Sequence, residues 1–571
     1  MSKIIVAFYR NDFADAEVQL HRRASKLGTH LLKSNNVSSD FTINTQKYGV
    51  LGVFPQNDTL PVNNLSLVAG CLEVLPVDWF REYKKYSSSF QVFTNEDECI
   101  VSTNSTASRS VWYYFDENLF IVSTSQRAIV AWLSSFKSEP QAISWMLSCG
   151  NLGPGYSWDK RIRHLLANEK LIVSRKDWSL KLEFCQESRF EKTSTKEDTK
   201  DFLNGLLSNT FKKLFIPLSS TKLALSGGYD SRTVLYYLVK NNFRVSTLTW
   251  GLADAIIEAG TDSNIAQLVA SKLNVESTYY ETNFREKSFE NIFNKFLLSG
   301  EGRLDHINSF MDGFAMWEEL YKKGLRNVIR ADETFGWLPC QTIQDVRISI
   351  DIHMMEDNSN MNPLTEFGFE TQLYPPFTWR KENESLETWR DRLYREFRIP
   401  FVLTGLHDLI NPYVEVFNPL LHDDIVDFCV RMPDHLRTNK KLYAELVPEL
   451  IPEVPIAKKA SIPEPASILK SSRIVSLMLD ELSSSNSKKL YSNEFISWVQ
   501  HYLNVSDKYV NSTNDGFSLW LKSHVPWKLK KFLRRDLIKY QADFNQLAFR
   551  AVIISKMYAI LEDDANLFSN D

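Results

Sequence analysis

Thr221-Lys222-Leu223-Ala224-Leu225-Ser226-Gly227-Gly228-Tyr229-Asp230-Ser231-Arg232 is the stretch on which the reading of this chain turns. It reads as a short apolar strand, a tight turn of small residues and a helix continuing through Val234, Leu235 and Leu238. Two adjacent glycines let a ligand approach the backbone with no side chain in the way. The first amides of the helix point outward and favour an anion. Ser226 and Ser231 offer hydroxyls to phosphate oxygens, and Asp230 is able to hold a magnesium ion beside them. The Lys-Ser/Thr ending of a Walker loop is missing, so a different phosphate cradle is expected. A strand-turn-helix corner without a ligand is the competing reading of the same residues.

The rest of the chain sets the frame around that loop. Its 571 residues exceed what one compact core holds, so two or three domains are expected. A hydrophobic fraction of 43% and an aromatic fraction of 13% exclude disorder. The net charge of −4 gives no basic excess for nucleic acid. Six cysteines, at 71, 99, 149, 185, 340 and 429, form no CxxC pair, and ten histidines show no metal-ligand spacing. Buried free thiols in a reducing compartment are expected. Residues 1–6 lack the apolar core of a signal peptide, and no apolar run reaches the ~20 residues of a membrane span. A cytoplasmic protein without membrane contact is the expectation.

Residues 1–190 have a β-rich texture. Apolar or alternating runs at 4–9, 48–54, 65–74, 90–93, 99–102, 111–115, 119–124, 170–175 and 180–184 are separated by Asn, Asp, Ser and Gly clusters. Helices are expected at 15–32 and 126–136. Polar residues crowd 186–200 and mark a boundary. Beyond it strands alternate with helices: helix 202–214, strand 223–225, helix 233–240, strand 245–250, helix 264–272, strand 277–281, helix 314–322 and strand 327–331. That alternation predicts a parallel sheet with helices on both faces and a ligand at the strands' carboxyl ends. After about residue 385 the chain reads as mostly helical. Residues 528–535 form a basic amphipathic stretch, either a solvated helix face or a contact for an anionic partner.

Residues 226–231 match SGGxDS, the pyrophosphate loop of the ATP-pyrophosphatase superfamily, and the β-rich first part before it resembles the asparagine synthetase family. That family includes glutamine-dependent asparagine synthetases, β-lactam synthetases and lasso-peptide cyclases. Leu248-Thr249-Trp250-Gly251 resembles the strand end that wraps the adenine. Thr261-Asp262-Ser263, with Ala266 and Ala270, resembles the following turn and helix, and Ser277 to Tyr280 the next strand. Ile329-Arg330-Ala331-Asp332-Glu333-Thr334-Phe335-Gly336 resembles the second acidic motif, SDE-x-FGG. Val416 to Asp427 resembles the VRVPFLD segment, and Leu436-Arg437 through Lys441-Leu442-Tyr443, then Pro448-Glu449 and Lys458-Lys459, the C-terminal lysine region.

The resemblance implies an α/β protein of three parts. Residues 1–190 would be an α+β, glutaminase-like (Ntn-type) sandwich. Residues 200–470 would be a doubly wound, parallel-sheet ATP-pyrophosphatase domain, and 471–571 a helical extension. ATP would lie against Leu225, Ser226, Gly227, Gly228, Asp230, Ser231, Trp250, Gly251 and Val328. Mg²⁺ would be held by Asp230 and Asp332, with Glu333 in support. Lys458 or Lys459 would stabilise charge on the adenylate. The implied chemistry is adenylation of a small-molecule or peptide carboxylate, then attack by ammonia or a substrate amine.

Two departures bear on substrate. A glutaminase of this type needs an N-terminal cysteine after Met1, but Ser2 stands there and the first cysteine is Cys71. No Asn-Gly-Glu segment is present either, so the first domain is expected to have lost glutamine hydrolysis, with Ser2 as a substitute nucleophile the minor option. Ile329 occupies the position where the family carries a Glu or a Tyr, and an isoleucine is neither acid nor base. Phe417 replaces the usual arginine. These changes weigh against free aspartate as substrate. An ammonia- or glutamine-dependent asparagine synthetase and a nucleotide-binding scaffold without turnover remain the alternatives.

Overall fold

The computed structural model describes residues 3–10, 16–33, 40–56, 60–81, 83, 89–184, 196–282, 288–307, 312, 314–506, 511–513 and 540–569. Ser2, Cys185, most of the polar boundary and the basic stretch 528–535 lie outside them.

Strand β1 (Lys3–Tyr9) explains the first half. Its run of apolar residues serves two cores at once, because successive side chains point to opposite faces. Ile4, Val6 and Phe8 meet Phe90, Val92 and Val101 of a second sheet. Ile5 and Ala7 face Leu20, Ala24 and Leu27 of helix α1 (Ala16–Leu32). Around β1 run β2 (Thr42–Gln46), β3 (Gly49–Phe54), β4 (Val62–Asn63), β5 (Ser66–Ala69), β6 (Phe90–Thr94), β7 (Glu98–Thr103), β8 (Trp112–Phe115), β9 (Leu119–Ser123), β10 (Arg163–His164), β11 (Glu169–Ser174) and β12 (Ser179–Phe184). They make two six-stranded sheets, β10-β8-β9-β1-β3-β2 and β12-β11-β7-β6-β5-β4. Every recorded pairing in them is antiparallel.

Three local expectations change here. The run 65–74 stops as a strand at Ala69, because Gly70 turns the chain with a φ of +61°. Half-buried β2 and the helix α3 (Pro140–Cys149) were not expected, nor does α2 (Gln126–Leu133) extend to Phe136. Ser134 closes α2 in the left-handed conformation.

The second half contains one parallel sheet. Its strands are β13 (Thr221–Ala224), β14 (Ser246–Gly251), β15 (Ser277–Glu281), β16 (Asn327–Ile329) and β17 (Glu415–Phe417), in the order β15-β14-β13-β16-β17. Leu223, Ile329 and Phe417 face helices α4 (Lys196–Lys213), α5 (Tyr229–Lys240) and α6 (Asp262–Lys272). Leu248, Val328 and Val416 face α7 (Phe289–Gly300) and α8 (Ala315–Lys322) on the other side. Strand order reverses between β13 and β16, so a crevice opens at their carboxyl ends. Helix α4 begins inside the stretch expected to be a linker, and β17 was not expected as a strand.

The last hundred residues do not stand apart. Helix Phe544–Ala565 is buried on nearly every side, against α2, α3 and α7 among others. Asp564 near its end lies 2.8 Å from Arg127 of α2 and 2.6 Å from His30 of α1. The five described cysteines are free thiols, four of them buried. Among the described residues, no helix is long and apolar enough to cross a membrane.

Candidate functional site

The crevice is a cleft of about 510 Å³. Most of its lining comes from the end of β13 and the loop after it, residues 330–332 after β16, and residues 457–462, with Thr249, Trp250 and Asp262 beside them.

The loop is closed on itself by its two serines. Ser231 Oγ accepts the Ser226 N–H (2.9 Å), and the two hydroxyls are 2.9 Å apart. Gly228 is the N-cap of α5 and no side chain caps it, so the helix end is open to the cleft. A Cβ on Gly228 would meet only Ser226 Oγ, at 3.5 Å. Gly227 is used differently. Its N–H donates to Asp262 Oδ1 (2.9 Å), and an added Cβ would come within 2.6 Å of Ala457 Cβ. The amide expected to face phosphate at Gly227 is therefore already engaged.

Asp230 sits in the first turn of α5 and Asp332 two residues beyond Arg330, and both carboxylates line the cleft. Lys440 Nζ lies 3.0 Å from Asp230 Oδ1 and 2.7 Å from Glu333 Oε1. Burial, with Glu333 beside it, pushes Asp230 up to about 7, while Lys440 opposes the rise. For Lys440 burial disfavours the charge, but Glu333 and Asp230 more than offset that and hold the ammonium protonated. Burial would also raise Asp332, yet His407, Arg330 and Asn418 hold it down at about 2. His407 Nε2 stands 2.8 Å from Asp332 Oδ2, off the hydrogen-bond line, so that buried oxygen has no aligned donor.

Lys458 and Lys459 both line the cleft. Their N–H groups donate to Gly260 O (3.0 and 3.2 Å), and the Ala457 N–H donates to Gly227 O (3.1 Å), which ties this segment to the glycine loop. Strand β18 (Lys459–Pro463) continues from there, and Ser461 Oγ accepts the Ser263 N–H (2.8 Å). Lys459 is paired with Glu258, whereas Lys458 has no ion pair among the described residues. Leu225 and Trp250 complete the walls.

Besides Gly227, three expected residues stand back from the cleft. Val328 is buried in the sheet between Lys222 and Val416, facing α7 and α8, so it offers nothing to a ligand. Gly251 lies behind Trp250, where a Cβ would meet Ser461 O at 2.6 Å; its smallness admits β18 rather than a nucleotide. Glu333 is buried, with one oxygen on Lys440 and the other accepting the Phe335 N–H. Ile329 is buried in the apolar core. Conversely, Lys440, His407, Asp262 and Arg330 belong to the site without having been singled out for it. Lys440 stands beside the Lys441 that carried part of the lysine-region resemblance; His407 carries no motif.

The donor set suits a hard cation shared with phosphate. Mg²⁺ is usually bound by one or two carboxylates plus substrate oxygens, rather than by a protein-only cage. Asp230 and Asp332 are two such carboxylates. Among the described residues no group of three or more His, Cys, Asp or Glu side chains gathers into a metal site, at this cleft or elsewhere.

No protein-family model matches the chain, and no curated protein matches it at a significant level.

Proposed function

We propose that this chain is an ATP-dependent ligase that adenylates a carboxylate and passes the acyl group to ammonia or a substrate amine. The observation that carries the reading is the convergence of the open α5 N-terminus, Asp230, Asp332 and Lys458 on one cleft at the reversal of strand order. In this reading Trp250 bounds the base, and the loop of Ser226, Gly228 and Ser231 holds the triphosphate. A carboxylate oxygen bonds to the α-phosphorus, the bond to the β-phosphate breaks, and pyrophosphate leaves with its electron pair. An amine then attacks the acyl carbon and loses a proton, and AMP departs. Mg²⁺ on Asp230 and Asp332 would neutralise phosphate charge. Lys458, or Lys459 once released from Glu258, would hold charge on the α-phosphate. Glu333 acts from behind by holding Lys440.

The first two sheets support a glutaminase-like fold, read here as a domain without glutamine hydrolysis. Ile329, sealed in the core, leaves no acid or base at that position, which favours a peptide or specialised small molecule over free aspartate. The reading carries a cytoplasmic location. A second reading is favoured by Lys440: it neutralises Asp230 and Glu333 with no metal, as a nucleotide-binding scaffold would need.

The test is release of AMP and pyrophosphate from Mg·ATP with aspartate plus ammonium, with glutamine as a separate nitrogen source, and with a carboxylate panel scored by pyrophosphate exchange. Carboxylate-dependent exchange abolished by Asp230→Ala supports the ligase. ATP binding without exchange from any carboxylate supports the scaffold, and use of glutamine as well as ammonium would restore an active first domain.

A further inference from the structure

A second cavity, of about 420 Å³, lies on the seam between the two halves of the chain and shares no residue with the cleft. One wall comes from Leu60, Val68 and Leu75, the other from Phe215, Pro217 and Phe417. The seam is stitched there: the Phe215 N–H donates to Leu72 O (3.1 Å), and Leu72 packs into the core of the second half. Pro217 precedes β13 and Glu415 begins β17, so the cavity lies at the amino end of the parallel sheet, opposite the cleft. Strand β17 spans the distance between them. Phe417 lines the cavity, and its carbonyl accepts the N–H of Arg330, a cleft residue (2.8 Å). A concave, mostly apolar space of this size at a domain boundary is the usual form of a small-molecule site.

The polar groups in its walls decide the charge of the occupant. Glu73 and Glu415 supply carboxylates, and among the described residues no Lys, Arg or His lines the cavity. Glu415 is buried. One of its oxygens lies 3.2 Å from Arg109, while Oε2 has no aligned donor among the described residues. Glu73 is more exposed, with His422 Nε2 at 3.8 Å. An anion would meet two acids, and a wholly apolar molecule would leave Glu415 Oε2 without a donor. A hydrophobic body carrying an ammonium group meets both demands. The body covers the apolar walls, and the N–H groups supply charge-assisted donors to the acids.

We propose that this seam cavity binds a hydrophobic amine, an aliphatic or aryl body with a protonated primary amino group. The inference stands apart from the ligase reading and does not depend on it. Cys71 serves as the reporter, because it lines the cavity and is the one described cysteine that is not buried. Its alkylation by N-ethylmaleimide, read by peptide mass spectrometry, is followed together with thermal shift. The probes are hexylamine, phenethylamine, methylamine, hexanol, hexanoate and L-glutamine. At saturation hexylamine or phenethylamine is expected to slow the alkylation at least about fivefold and to raise the melting temperature. Methylamine lacks the body, and hexanoate and glutamine bring a carboxylate against the two acids, so none of the three should protect. Hexanol should need about tenfold more than the amines. Glu415→Gln is expected to weaken amine protection about tenfold. Val74 lines the cavity and is 70% exposed, so Val74→Lys sets a cation at the rim of a folded protein. It should weaken the amines to a similar degree and spare hexanol, and it decides the matter if Glu415→Gln does not fold. Hexanol or hexanoate protecting as well as the amines would overturn the proposal, and protection by glutamine would mark a glutamine pocket instead. No protection by either amine, or amine protection unchanged in both variants, would also overturn it.

Discussion

The Lys440 ammonium bridges Asp230 and Glu333, 3.0 Å from one carboxylate and 2.7 Å from the other. A side-chain cation thus occupies the space between two acids that follow different strands. Lys440→Met should leave those acids facing each other and lower stability by about 3–5 kcal/mol, the usual consequence of stranding a buried charge. Added Mg²⁺ should restore part of the loss, so the magnesium-induced rise in melting temperature should be larger in the variant than in wild type. An equal rise in both would mean that magnesium does not meet Asp230.

The two loop glycines should fail in different ways. In Gly227→Ala the new methyl meets Ala457 Cβ at 2.6 Å, so the loop must shift and stability should drop by about 1–3 kcal/mol. In Gly228→Ala the methyl enters the cleft, with Ser226 Oγ its only near neighbour. Stability should change by less than about 1 kcal/mol while ATP affinity falls at least tenfold. Urea midpoints and calorimetric ATP titrations on both variants check the contrast.

Asp564 has no solvent exposure and shares its oxygens between Arg127 and His30. Arg127, also buried, would be left without its main counter-charge in Asp564→Ala. That variant should lose about 3–5 kcal/mol in urea unfolding. A loss below 1 kcal/mol would mean that the last helix contributes little to holding the first domain.

His353 supplies a pH signature. Burial, reinforced by Arg550, holds its imidazole down at about 4, and Nε2 lies 2.8 Å from the Ser148 carbonyl. The unfolded chain takes up that proton near the ordinary 6.5. Between pH 6.5 and 4 the unfolded state therefore binds more protons, and stability falls as pH falls. His353→Gln should be less acid-sensitive: its melting temperature relative to wild type should rise steadily as pH drops from 7 to 4.5. A difference constant with pH would refute the assignment.

Much of the framework was legible. The runs 4–9, 90–93 and 119–124 became strands because a residue with apolar neighbours on both faces is recognisable one segment at a time. The loop at 226–231 was legible because its glycines and serines act locally. Strand β17 was not, because three residues between a helix and a turn carry too short a pattern, and only pairing with β16 makes them a strand. Lys440 reaches Asp230 across 210 residues, and His407 reaches Asp332 from a separate helix, so neither partnership leaves a periodic trace. Val328 stands back from the cleft for the opposite reason. It is close in sequence to the acidic motif, but the alternation of the strand turns it toward the other face.

Arg127 and Asp564 are 437 residues apart. At roughly 5–20 residues per second, a ribosome takes roughly 20 to 90 s to travel between them. Throughout that interval the outer side of α2 has neither its apolar cover nor its counter-charge. The first domain therefore emerges complete in its strands but unfinished on one flank. In the cell, that flank is where a chaperone has reason to bind while synthesis continues.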